Sequence, residues 1–82
     1  MRKTDIKIGE VYTDGKGNVR EVMDAGSQYV AFPGQVDTDN VQYRIIAKKS
    51  GPYRVGDVRC ATRASFASWA KAKVVDEPRT TP

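Results

Sequence analysis

Seven basic side chains and one tyrosine crowd the second half of the chain: Arg44, Lys48, Lys49, Tyr53, Arg54, Arg59, Arg63 and Lys71. Their chemistry is that of binding rather than bond breaking. Ammonium and guanidinium groups neutralise phosphates, and an aromatic ring offers a face on which a base can stack. The densest part is AKKSGPYRVGD, residues 47 to 57, where Ser50-Gly51-Pro52 and Gly56-Asp57 mark a long exposed loop. Loops held on a rigid scaffold are common seats for binding groups. Lys48, Lys49 and Arg54 around Tyr53 give this loop a basic and aromatic tip. The same composition also suits a loop kept soluble by its charges, with Tyr53 packed back on the domain.

The charge is unevenly spread. Residues 1 to 41 carry five basic and seven acidic side chains, and residues 42 to 82 carry nine and three, for a formal net charge of +4 on 82 residues. From Arg44 to Lys73 the only acid is Asp57. A positive face formed by residues 44 to 73 is therefore expected, and it would attract DNA or RNA, or an acidic protein surface.

Other chemistries find less support. The chain has no histidine, which removes the commonest general base and the commonest zinc ligand. The carboxylates left for acid or base work, Glu10, Glu21, Asp24 and Asp57, fall on strand surfaces or turns. Cys60 is alone, so no intrachain disulfide can form; it reads as a small apolar residue on a strand. Asp37, Asp39 and Asn40 resemble the start of a calcium loop, but the later glycine and glutamate of such a loop are missing. Gly15-Lys16-Gly17 lacks the longer spacing and the following helix of a phosphate loop. No catalytic residue, metal or cofactor is expected.

The elements that must position the basic groups are short strands. GEVYTDGKGNVREVMDA has two β-rich runs around Asp14 to Asn18, with glycines that permit a tight hairpin. Tyr29 to Phe32 reads as a strand ended by Pro33-Gly34. Val41-Gln42-Tyr43-Arg44-Ile45 alternates, placing Val41, Tyr43 and Ile45 on one face. Val58 to Cys60 is a further strand. Residues from about 62 to 73 form a helix capped by Thr62, whose stripe of Phe66, Trp69 and Ala70 covers the core while Arg63, Ala67, Ser68 and Lys71 face outward. The large core candidates are Ile6, Ile8, Val11, Tyr12, Val19, Val22, Met23, Val30, Phe32, Val41, Tyr43, Ile45, Val58, Phe66 and Trp69.

A chain this short makes one domain and buries only about 60% of the surface it exposes when unfolded, so a deep internal site is not expected. The expectation is a mainly β domain over residues 6 to 75: a small SH3-like, five-stranded bent barrel closed by a C-terminal helix. An OB-like or open α+β sheet is the alternative. Residues 1 to 5 and 76 to 82 read as flexible ends. No apolar run nears the roughly 18 residues that span a bilayer, and the charged start has no apolar stretch behind it. With a single cysteine, this favours a cytoplasmic setting.

The order I-G-x-V-Y-x-D-G-K-G-x-x-R-x-V (residues 8 to 22), V-x-Y (41 to 43) and C-A-T-R-A-S-F-A-x-W-A (60 to 70) resembles small uncharacterised proteins of bacteriophages and prophages. In these a G-x-x-Y strand opens an SH3-like barrel and an S-F-A-x-W-A helix closes it. The resemblance implies phage or prophage origin and action inside a bacterial host cell, and brings no catalytic residue with it. Residues 24 to 40 fall outside the pattern.

Two functional expectations follow. The first is a non-enzymatic module contacting nucleic acid through Arg44, Lys48, Lys49, Arg54, Arg59, Arg63 and Lys71, with Tyr53 for stacking. The second is a protein-binding module, such as a phage inhibitor of a host enzyme or an anti-CRISPR-like protein, docking the same basic face on an acidic host or phage protein.

Overall fold

A computed structural model describes residues 1–49 and 51–74. Within them the protein is mainly β with one helix: β1 (Val11–Thr13), β2 (Val19–Ala25), β3 (Asn40–Ala47), β4 (Val58–Thr62), α1 (Arg63–Trp69) and β5 (Ala72–Lys73), preceded by a 3-10 turn at Lys3–Asp5. The strands form one open antiparallel sheet in the order β4-β3-β2-β1-β5. The helix connects one edge of this sheet to the other.

Register explains which side chains meet. On the core-facing side, Tyr12, Arg20 and Ile45 lie in one row across β1, β2 and β3, and Val22, Tyr43 and Arg59 lie in the next across β2, β3 and β4. Ala25, Val41 and Ala61 follow, after a bulge between Val22 and Asp24. Buried Ile6, Tyr12, Val22, Val41, Tyr43, Ile45, Phe66, Ala67 and Ala70 form the core. Tyr12 has no exposure, and its hydroxyl is satisfied: it donates to the Asp5 carbonyl at 2.7 Å and accepts from the Lys7 amide at 2.8 Å. That pair fastens residues 5 to 7 to β1. The Met1 nitrogen reaches the Ala67 and Ala70 carbonyls, so the first residues lie against α1 where the sequence suggested a loose end.

The hairpin forms as its turn residues predict. Asp14 Oδ1 accepts from the Lys16 amide, its Oδ2 accepts from the Asn18 side-chain amide at 2.8 Å, and Gly15 and Gly17 take φ values of 79° and 93°. The Asn18 bond, first among several, holds the Asp14 carboxyl below its ordinary pKa. Asn18 Oδ1 also accepts from the Lys49 amide, tying the turn to the end of β3.

Thr62 caps α1 as expected, accepting from the Ser65 amide at 3.0 Å. The helix is shorter than the predicted 62 to 73. It ends at Trp69 because the following residues are drawn into the sheet: Lys71 N–H donates to the Thr13 carbonyl, Val74 N–H donates to the Val11 carbonyl, and Ala72–Lys73 pair with β1. Seven residues of helix are marginal alone, so tertiary pairing decides where it stops. Ala67, expected outside, is buried beside Phe66.

A second correction concerns Tyr29 to Phe32, which form no strand. Both sides of β3 are taken, by β2 and β4, and the fifth strand is supplied by residues 72 and 73. Val30 and Phe32 are instead exposed, at 60% and 54%. Ile8, Met23 and Val58 are also exposed rather than core. The predicted C-terminal end, 76 to 82, lies outside the described residues, as does Ser50.

The two turn glycines give a prediction. Gly15 has open space where a Cβ would stand, whereas a Cβ on Gly17 would meet Lys49 Cβ at 2.9 Å. Gly15→Ala should cost about 1 kcal/mol from its backbone conformation, and Gly17→Ala roughly 1 kcal/mol more. Urea denaturation of both variants checks this, and equal midpoints would contradict the close approach of turn and β3.

Candidate nucleic-acid interface

The eight basic and aromatic residues singled out by sequence do not share one face. Arg44 points to the outer side of the sheet, where its cross-strand neighbour Glu21 holds it at 3.0 Å. Arg63 lies at the start of α1, with Nε 3.0 Å from Asp39 Oδ1 and Nη1 donating to the Ile6 carbonyl. Lys71 follows α1, its Nζ 3.2 Å from the Ser68 carbonyl. The Lys49 stem lies against Gly17. Arg54 is exposed in a turn closed by its amide donating to Asp57 Oδ2.

Lys48, Tyr53 and Arg59 do come together, with a partner the charge count passes over. Arg20 sits in the core-facing row between Tyr12 and Ile45. A guanidinium there cannot be left in an apolar core, and its stem runs along the apolar row while its head finds ring faces. Cζ lies 4.1 Å from the centre of the Trp69 ring and 4.8 Å from that of Tyr43. Arg59, paired across the ladder with Tyr43, places its Cζ 4.2 Å from the centre of the Tyr53 ring. Two guanidiniums thus lie on either side of the β3 residue Tyr43 in the sheet, each placed over an aromatic ring. Lys48 closes the group: with Asn18, Arg20, Ile45, Ala47 and Tyr53 it lines a cavity of about 20 Å3, and its ammonium donates to the Gly51 carbonyl at 2.8 Å.

The electrostatics match this geometry. Burial pushes the Tyr43 phenol above its ordinary pKa, against the opposing pull of Arg20 and Arg59. Neither arginine is ion-paired with a carboxylate among the described residues. A guanidinium held over a ring can offer its N–H edge to an anion, which is the condition for a pre-organised anion contact. The signal for Arg20 was present in the sequence as period-two alternation: Arg20 stands two residues before Val22 and so on the same face.

The remaining candidates are occupied structurally. Glu10 pairs with Lys73 at 3.4 Å and Glu21 with Arg44, Asp24 accepts from the Tyr29 hydroxyl, and Asp57 accepts from the Arg54 amide. The Tyr29 bond holds the Asp24 carboxyl below its ordinary pKa and raises that of the Tyr29 phenol. Asp39 is the partner of Arg63, and Asp37 Oδ1 accepts from the Asp39 amide. Among the described residues no three His, Cys, Asp or Glu side chains are placed to hold a metal ion. No described helix is long and apolar enough to cross a membrane.

The arrangement predicts the response of Tyr43 to charge removal. In Arg59→Gln the phenolate loses a nearby cation, so the Tyr43 pKa should rise further, as read by NMR titration of the ring; a fall would contradict the stacked geometry. No protein-family model, curated protein or solved structure matches this chain.

Proposed function

We propose that the protein is a non-enzymatic nucleic-acid-binding module that contacts its ligand through Arg20, Arg59, Lys48 and Tyr53. One observation carries this reading: two guanidiniums without carboxylate partners among the described residues are stacked on rings around Tyr43, beside a third cation. Phosphates need forked donors, and bases need flat surfaces to lie on. A non-enzymatic role is supported by the structural engagement of Glu10, Glu21, Asp24 and Asp57. The phage-type motifs and the lone cysteine support action in a bacterial cytoplasm, and the strand order with a helix before the last strand supports an SH3-like relationship.

A separate observation favours protein binding as the second reading. The segment between β2 and β3 exposes Val30, Phe32 and Val36, the last at 95%. It is held from beneath by Gln35, whose side chain accepts from the Ala31 amide and donates to the Asp37 carbonyl and to Asn40 Oδ1. A braced loop with an apolar tip is suited to docking on another protein.

The test is binding of the purified protein to labelled DNA and RNA across a salt series. Affinity should fall as salt rises, and Lys48→Glu/Arg59→Glu should weaken it by about tenfold or more. Absence of binding near physiological salt would remove this reading and leave the Phe32 loop as the site to pursue.

A further inference from the structure

Resting on the nucleic-acid reading above, we infer that the site built from Arg20, Tyr53, Arg59 and Trp69 around the buried Tyr43 selects single strands over duplexes. The reason lies in what each form offers and what this fold can reach. A duplex shows rows of phosphates and the edges of paired bases, and its major groove, about 12 Å wide, is read by a helix or a two-stranded ribbon with long polar side chains. The one described α-helix has seven residues, buries Phe66 and Ala67, exposes the short side chains of Ala64, Ser65 and Ser68, and has its one long polar side chain, Arg63, engaged by Asp39 and the Ile6 carbonyl. It has nothing with which to read a groove.

The cations are also wrongly distributed for a duplex. Arg44 and Arg63 are held by Glu21 and Asp39, Arg44 on the outer side of the sheet and Arg63 beside Ile6. Arg20 on β2 and Arg59 on β4, which have no carboxylate partner among the described residues, lie two strand spacings or about 10 Å apart on the core-facing side of the sheet, with Arg54 exposed in the turn before β4. Such a patch meets few phosphates.

A single strand presents the complementary chemistry. Unstacked bases lie on guanidinium planes and rings, and the phosphates between them accept from guanidinium N–H groups; Tyr43 is itself buried, so the surfaces within reach here are the exposed Arg59 and the half-buried Tyr53 and Trp69. Arg20 on Trp69 and Tyr43, and Arg59 on Tyr53, form two ready stacks with Tyr43 between them. The cavity between Arg20 and Tyr53 is only about 20 Å3, too small to swallow a base, so recognition occurs on the surface of the stacks. With two or three phosphates neutralised, the slope of log affinity against log salt should be only about −2.

Trp69 is the one tryptophan in the chain and reports directly on the site. The protein is titrated with an oligothymidylate of about 12 nucleotides and, separately, with a mixed-sequence duplex of the same length. The single strand should bind at least about tenfold more tightly, change Trp69 emission, and be weakened in Arg59→Gln without a change in the circular dichroism spectrum. Equal or tighter duplex binding overturns the inference while leaving nucleic-acid binding intact. So does single-strand binding that moves neither Trp69 emission nor the Arg59→Gln affinity. If neither probe binds, both readings fall together.

Discussion

Phe66 is the contact on which the rest of the structure depends. Its ring meets three others, with centroids 5.6 Å from Tyr12, 5.4 Å from Tyr43 and 5.3 Å from Trp69, in edge-to-face or tilted geometries. A ring so buried contributes on the order of 3 to 5 kcal/mol when judged by truncation, a large share of the 5 to 15 kcal/mol available to a small domain. Ala67 and Ala70 lie buried beside it, where their small side chains let the helix approach the sheet closely. Fixing Phe66 fixes the helix, and fixing the helix sets Trp69 where a guanidinium can cover it.

The arrangement around Arg20 is therefore a by-product of core packing. Arg20 occupies a position that the sheet would otherwise give to an aliphatic side chain, between Tyr12 and Ile45. A guanidinium there gives up part of its water, and the faces of Tyr43 and Trp69 replace some of what is lost. Ordering the guanidinium during folding leaves less entropy to lose when an anion arrives. The ion pairs Arg44–Glu21 and Arg63–Asp39 engage basic groups elsewhere. Lys48, Lys49 and Arg54 in the loop after β3 have no carboxylate ion pair among the described residues.

Much of this was legible from residues alone, because it rests on local rules. Asp14 to Asn18 announce their hairpin, Val41 to Ile45 alternate, and Thr62 stands where a helix needs a cap. The rest depends on partners distant in sequence. Tyr29 to Phe32 have the composition of a strand, but β2 and β4 already flank β3. Nothing in Lys71 to Lys73 argues against helix; the free edge of β1 recruits them. The candidate site was half visible for the same reason. Lys48, Tyr53 and Arg59 belong to the basic half, whereas Arg20 lies in the acidic half and joins them only through pairing of β2 with β3. Net charge by segment cannot see a neighbour contributed by another strand, although alternation around Val22 can.

The most direct test of this account is an NMR map of the folded protein during addition of an unstructured single-stranded oligonucleotide. The largest shifts should cluster at Arg20, Tyr43, Tyr53, Arg59 and the Trp69 indole, with Arg44, Arg63 and the Phe32 loop nearly still. Shifts centred on Val30, Phe32 and Val36, or on Arg63 and its neighbours, with the Arg20 cluster unmoved, would contradict it.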